Sequence, residues 1–288
     1  MVPDLDEAIA RAVDLALRED LGQDYPAGDI TTEAIIGEAR GSAAIAANQA
    51  CVIAGGPVVA AVFAAVDPDL LVDWDAADGD RVAAGVVVAR LKGELKAILK
   101  GERPALNFLS HLSGIATMTA KFVAAVAATG AGIYDTRKTT PGLRALEKYA
   151  VVVGGGHNHR FGLFDGILVK DNHLAGKTIT EAISLARAAR LKDRLRSKYP
   201  SVVEVEVETM AQLDEALAGG ADIVLLDNMR PDMVAQAVSL AKGKAGIEVS
   251  GGISLDNVRE IAMAGAERIS VGAVTQGTPT IDFSLTVF

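Results

Sequence analysis

From residue 103 onward the chain repeats one rhythm: a short aliphatic run, a polar end, then a helical stretch. The strand-like runs are AGIYDT, GILVK, VVEVEVE, ADIVLLDN, GIEVSGG and RISVGA. Short strands joined through helices run parallel, and right-handed crossovers close such a series into a barrel or an open sheet. Half the residues are hydrophobic and only 4% aromatic, which suits helices over small parallel strands better than an aromatic-rich sandwich. A helical run is expected to open at Pro104, in PALNFLSHLSGIATMTAKFVAAVAAT. Another is expected over TITEAISLARAARLKDRLRSKY, capped by Thr178 or Thr180, with Glu181 closing a capping box on Thr178.

The first hundred residues read differently. Leu5, Ile9, Val13 and Leu17 lie at helical spacing in an acidic amphipathic start, which lacks the basic head and apolar run of a signal peptide. DGDRVAAGVVVARLKG, Asp78 to Gly93, has the alternation of a β-hairpin of the biotinyl or lipoyl type. Ala83, Ala84 and Gly85 stand where such a carrier needs its attachment lysine, so the hairpin is read as structural. Cys51 is the single cysteine, which excludes an internal disulfide and a cysteine-cluster metal site. No stretch approaches the roughly 20 apolar residues of a membrane span. A soluble, cytoplasmic protein is expected.

Polar residues gather where the strands end: Arg137 and Lys138, Lys170, Glu206 and Glu208, Asp227 and Asn228, Ser250, Gly272. That is the end where α/β barrels carry their chemistry. In VVEVEVE the period of two sends Glu204, Glu206 and Glu208 to one face and the valines to the other. Three carboxylates inside a barrel need cations or a metal as partners, whereas an exposed edge strand would leave them in water. The net charge of −9 argues against a nucleic-acid surface. Yet from Arg103 to His173 four Arg and four Lys face only Asp135, Glu147, Asp165 and Asp171, and His157, His159 and His173 fall in the same stretch. A cationic, glycine-rich island in an acidic chain points to a small polyanionic ligand.

DTRKTTPGLRALEKYAVVVGGGHNHRFGLFDGILVKDNHL, Asp135 to Leu174, resembles the signature core of the quinolinate phosphoribosyltransferases. The likeness extends through GDITT, LNFLSHLSGIAT, EVEVET, DIVLLDN, EVSGGI and ISVGAVT, so it spans essentially the whole chain. It implies an N-terminal α/β sandwich domain, 1–103, and an incomplete parallel α/β barrel, 104–275, with the tail 276–288 packing on the first domain. Two departures stand out: Pro104 where the family commonly has Thr, and TQGTPTIDFSL in place of a His-Ser version after the last barrel strand. A sister group of pyrophosphorylase-like proteins linked to molybdate transport is less similar in DTRKTTPG and GGGHNHR.

The implied substrates are quinolinate and phosphoribosyl pyrophosphate (PRPP), the products nicotinate mononucleotide, pyrophosphate and CO2, on the route that builds NAD de novo. By the same resemblance Arg103, Arg137, His159, Arg160 and Lys170 form the quinolinate site, where arginine forks match carboxylates. Thr136 is placed with them at the strand end. Lys138 faces the PRPP phosphates, and His157 is either a further contact or a loop-ordering residue. Lys170, Glu206 and Asp227 are the expected catalytic residues, with Glu206 and Asp227 holding Mg2+ and the ribose hydroxyls. The turns Ser250-Gly251-Gly252 and Ser270-Val271-Gly272 are expected to offer backbone N–H groups to the 5′-phosphate. A homodimer with a shared active site is implied, Arg103 serving the partner's barrel mouth, with no nucleic-acid or membrane partner. The competing readings are a related transferase on another pyridine acid and a non-catalytic phosphate-binding barrel.

Overall fold

The computed structural model describes residues 4–23, 28–192 and 202–288. In chain order the elements begin with α1 Leu5–Leu21, α2 Ile30–Ile35, β1 Arg40–Ala47, β2 Cys51–Val52, α3 Gly56–Val66, β3 Leu71–Trp74, β4 Arg81–Val82, β5 Val87–Glu94 and α4 Leu95–Ala125. They continue with β6 Gly132–Tyr134, α5 Arg144–Val153, β7 Ile167–Val169, α6 Asp171–Leu174, α7 Ile179–Lys192, β8 Val203–Val207, α8 Met210–Gly219, β9 Ile223–Asp227, α9 Pro231–Ala241, β10 Gly246–Ser250, α10 Val258–Met263, β11 Arg268–Ser270 and β12 Phe283–Val287. Two compact units result. The first takes the chain up to Ala120, Thr139–Gly155 and Val274–Phe288; the second takes Lys121–Lys138 and Gly156–Ala273.

In the first unit β12, β1, β5 and β3 form an antiparallel sheet in that order. The stripe read from the sequence is the buried face of α1, where Ile9, Val13, Leu17 and Leu21 pack against α3 and α5. Phe63 of α3 is fully buried, and a Cβ on Gly101 of α4 would stand 2.6 Å from its ring, so glycine is what lets α4 come this close. The chain's last strand pairs with β1, from Ala43↔Val287 to Ala47↔Phe283.

Two expectations fail here, each because partners distant in sequence override the local pattern. The hairpin over 78–93 does not form: β4 pairs with β2 (Cys51↔Val82), while β5 lies between β1 and β3. The Gly85 N–H, at the supposed hairpin tip, donates to Ala47 O at 2.7 Å. The helix expected to open at Pro104 begins at Leu95 and carries Pro104 inside it. Proline removes one N–H from the ladder, but Ala97, Ile98, Ala105, Leu106, Leu109 and Leu112 make one buried stripe through it. The 103/104 boundary therefore falls within a continuous helix. The capping box of α7 does form, Glu181 N–H donating to Thr178 Oγ1 (3.2 Å) and Thr178 N–H to Glu181 Oε2 (2.8 Å). The rest of that expected helix, from 193 on, lies outside the described residues.

In the second unit all strand pairs are parallel, in the order β6-β11-β10-β9-β8-β7. No ladder joins β6 to β7 among the described residues, so the barrel is incomplete, as the sequence led one to expect. Val203, Val205 and Val207 of β8 are buried on the face opposite its glutamates. Among the described residues no helix is long and apolar enough to cross a membrane.

Asp78, at the start of that segment, has a structural role. Its carboxylate accepts the Gly55 N–H (3.0 Å) and Gly56 N–H (2.9 Å) at the start of α3, and takes the Tyr149 hydroxyl as well. Burial, with that carboxylate beside it, holds the Tyr149 hydroxyl well above the usual phenol range. Asp78→Ala should cost on the order of 1–2 kcal/mol, read as a melting temperature lower by several degrees. An unchanged melting temperature would show that the contacts are dispensable.

Candidate active site

The second unit collects its polar side chains at the C-terminal ends of its strands. After β6 comes Asp135, completely buried. Its N–H donates to His157 O (3.0 Å), the His157 N–H donates to Ile133 O (2.8 Å), and its Oδ1 accepts the His159 N–H (2.9 Å). The loop carrying His157, His159 and Arg160 is thus laced to the free edge of β6. His157 rests its ring against Tyr134, with centroids 5.0 Å apart. Its backbone bonds and ring contact help to order this loop.

His159 faces inward. Its Nε2 lies 3.0 Å from Glu204 Oε2 on β8 and 3.4 Å from Glu248 Oε1 on β10. Glu248 is fully buried; its Oε2 accepts Arg268 Nε at 2.7 Å, and its Oε1 accepts the Ser270 hydroxyl. Arg268 stands opposite Glu248 in register and lies over the Tyr134 ring at 3.8 Å, a cation–π contact. Burial, the largest influence on His159, opposes its charge, but Glu204 and Glu248 outweigh it and draw the ring above the usual histidine value. Burial pushes the Glu204 carboxyl up; the His159 hydrogen bond opposes that push and Glu248 adds to it. The Nδ1 atom accepts the Arg160 N–H at 2.7 Å, so in this arrangement the ring proton sits on Nε2.

Ligand atoms of His159, Glu204 and Glu248 lie within 4.8 Å of one another, as a metal site would require. Both Glu248 oxygens are already engaged, and Arg268 supplies the positive charge that a cation would bring. The trio is a hydrogen-bonded packing cluster. Sequence reading had Glu204 facing inward but missed Glu248, Arg268 and Asp135. The signal available was the alternation Glu248, Ser250 in GIEVSGG, which turns both toward one face.

The expected site residues are placed as follows. Arg137 and Lys138 are exposed just beyond β6, and the Lys138 stem lies over the Ser270–Gly272 turn, 3.2 Å from where a Gly272 Cβ would stand. Thr136 Oγ1 accepts the Lys138 N–H at 3.0 Å. Arg160 donates to Gly166 O at 3.0 Å, and burial followed by the neighbouring Arg137 lowers the stability of its charged form. Two guanidiniums near enough to oppose each other are relieved by an anion. Lys170, just past β7, pairs with Glu206 of β8. Glu208 lies past the end of β8, exposed, so two of the three glutamates find partners, Glu204 in His159 and Glu206 in Lys170, and the third does not face inward with them.

Asp227 ends β9, its Oδ2 accepting the Asn228 amide at 2.8 Å. Glu206 Oε1 and Asp227 Oδ1 carry no hydrogen bond among the described residues, and an all-oxygen pair on adjacent strands fits magnesium. The two phosphate turns differ from expectation in one respect. The Val271 N–H donates to Tyr134 O (2.9 Å) and the Ser270 hydroxyl to Glu248, so neither is available to an anion. Arg103 is exposed on α4 in the first unit, 3.8 Å from Glu102.

A family model described as the quinolinate phosphoribosyl transferase C-terminal domain matches residues 115–286, and one for the N-terminal domain matches 29–113. The chain belongs to the quinolinate phosphoribosyltransferase family. A curated relative from Bacillus subtilis, a probable nicotinate-nucleotide pyrophosphorylase (carboxylating), is 42% identical over 92% of this chain and 90% of its own length. Among solved structures, the nicotinate-nucleotide pyrophosphorylase of Francisella tularensis superposes with a TM-score of 0.89 at 38% identity, covering 98% of this chain and 97% of that one. NadC from Streptococcus pyogenes gives 0.89 at 40% identity, with 97% of both chains covered.

Within this member of the family the turn after β10 is tightly built. Asn228 adopts φ 54°, its N–H bonding Ser250 O at 2.9 Å, and its side chain lies where a Gly251 Cβ would come within 2.4 Å. Gly252, also at positive φ, has nothing nearer than 3.8 Å. Gly252→Ala should cost only the backbone term of about 1–2 kcal/mol. Gly251→Ala should cost a further 1–3 kcal/mol or so, because Asn228 and Asp227 must move. Melting curves of the two variants decide this, and equal losses would contradict the clash.

Proposed function

We infer that this chain transfers the phosphoribosyl group of PRPP to the ring nitrogen of quinolinate and releases CO2, yielding nicotinate mononucleotide and pyrophosphate for NAD biosynthesis. The observation that carries the reading is the set of cations Arg137, Lys138 and Lys170 at the strand ends, with Arg160 near Arg137 and the carboxylates Glu206 and Asp227 on adjacent strands. Arg137 and Arg160, near enough to repel, suit a ligand bearing two adjacent carboxylates.

The arginines fix the planar acid so that its nitrogen faces the anomeric carbon, which removes the cost of bringing the reactants together. The nitrogen lone pair forms the new C–N bond as the C–O bond to pyrophosphate breaks and the oxygen keeps the electron pair. The ring, now cationic, stabilises the electron pair left when the adjacent carboxylate departs as CO2, and a proton replaces it. Lys170, held by Glu206, is the group we assign to that carbon, either steadying the carbanion or giving the proton. Lys138 and the Ser250–Gly252 turn are assigned to the phosphates, and Thr136 orders the Arg137–Lys138 end. Glu206 and Asp227 would hold magnesium, which when bound neutralises the leaving pyrophosphate. The enzyme is taken to act in the cytoplasm.

Mixing the protein with PRPP, magnesium and either quinolinate or nicotinate, then following CO2 and nucleotide, tests the reading. Nicotinate leaves one clamp without its carboxylate, a loss of roughly 1–3 kcal/mol or about ten- to hundredfold in kcat/KM. Comparable rates on both acids would refute the two-carboxylate site, and no transfer at all would leave only a phosphate-binding barrel.

We further propose a homodimer in which Arg103 of one protomer serves its partner's site, an isologous arrangement that makes two shared sites. Arg103→Ala and Lys170→Ala homodimers should each be nearly inactive, and subunit exchange between them should restore part of the activity. Mixed dimers that form but stay as inactive as their parents would place Arg103 within its own chain.

A further inference from the structure

The direction in which His159 points is at odds with a residue that grips substrate. Its Nε2 is taken by Glu204 at 3.0 Å and approached by Glu248 at 3.4 Å, and its Nδ1 accepts the Arg160 N–H at 2.7 Å. Only a tenth of its side chain is exposed. Its own N–H is held by Asp135, 2.9 Å away. The ring therefore bridges two buried carboxylates and the backbone of the next residue, and that residue is the arginine whose guanidinium is tied to Gly166 O.

We propose that His159 is a positioning residue for Arg160, held through Nε2 by Glu204 and Glu248, rather than a contact to substrate. This rests on the reading of Arg160 as a quinolinate carboxylate ligand. Fastening the backbone N–H of Arg160 to a ring that cannot turn fixes where the arginine stem begins, so the fork meets the carboxylate without a search. Glu204 carries the holding role at some cost, since its Oε1 is buried with no hydrogen-bond partner among the described residues. Glu248 is in turn held by Arg268 and Ser270, which makes the clamp rigid.

The two roles titrate in opposite senses. The charged groups facing the ring are Glu204 from β8, Glu248 from β10 and Arg268 from β11, while Asp135 after β6 holds the backbone N–H. A positioning ring needs its Nδ1 lone pair, so quinolinate kcat/KM falls as pH drops and the ring takes a second proton. A substrate-binding imidazolium loses affinity as pH rises and the ring gives its charge up.

A double-mutant cycle tests the proposal. His159→Gln keeps a donor for Glu204 where Nε2 stood and drops the acceptor where Nδ1 stood. It should raise the KM for quinolinate roughly tenfold, leave the KM for PRPP unchanged, and abolish the acid limb of the pH profile. In an Arg160→Ala background the same change should add no more than about twofold, because both act through one group. If His159→Gln does not fold, Glu204→Gln takes its place in the cycle, with the same expectation. Effects that multiply, a His159→Gln enzyme with normal quinolinate KM, or an alkaline limb that vanishes in its place would overturn the positioning role alone. An Arg160→Ala enzyme that binds quinolinate normally would overturn the carboxylate clamp, and the positioning role with it.

Discussion

A carboxylate buried in the middle of a parallel sheet has to find a cation, because the interior solvates charge poorly and an unpaired ion there costs several kcal/mol. Glu204 and Glu248 impose that requirement on the second unit. Arg268 meets it from the neighbouring strand, and the Nε2–H of His159 adds a hydrogen bond from the loop after β6, so two carboxylates on alternate strands draw a loop and a strand together around them. The layering of alternate strands inside α/β barrels explains how residues of β8 and β10 come to share one partner. The His157–Arg160 loop has its course set by this cluster and by Asp135, whose buried carboxylate needs the His159 N–H for the same reason.

The cationic mouth follows from what lies beneath it. Arg160 departs from a backbone anchored to a fixed ring, Arg137 lies two residues beyond the buried Asp135, and Lys170 pairs with Glu206. Arg137, Lys138 and Lys170 gather at the strand ends above the buried Glu204 and Glu248, which suits capture of a small dianion far better than scattered solvated lysines would. The strain at Asn228 belongs to the same design, since its left-handed backbone sets Asp227 against a turn where only glycine fits.

Much of the fold was legible because it depends on near neighbours along the chain. The stripe Ile9, Val13, Leu17 is a helix face whatever lies opposite it, the Thr178–Glu181 box closes within one turn, and the glutamate–valine alternation of β8 follows from the pleat. The hairpin over 78–93 and the helix start at Pro104 were misread where a local signal was real but weaker than a distant partner. For Val82 the winning partner was Cys51, and for Pro104 it was a core stripe running through both sides of the proline.

The sequence by itself determined the strand–helix rhythm, the parallel barrel it implies, the cations and carboxylates at the strand ends, and the family those residues belong to. Each of these is written in periodicity or in a contiguous string. Tertiary structure alone decided which of those charges are buried against one another and which lie exposed. His159 and Arg160 are adjacent in sequence, yet one points into the buried carboxylates and the other reaches the Gly166 carbonyl with Arg137 nearby. Glu204 and Glu206 share a strand face, yet one meets a histidine and the other a lysine. Pairing energies of charges depend on distance and burial, and both are set only when strands far apart in the chain are brought side by side.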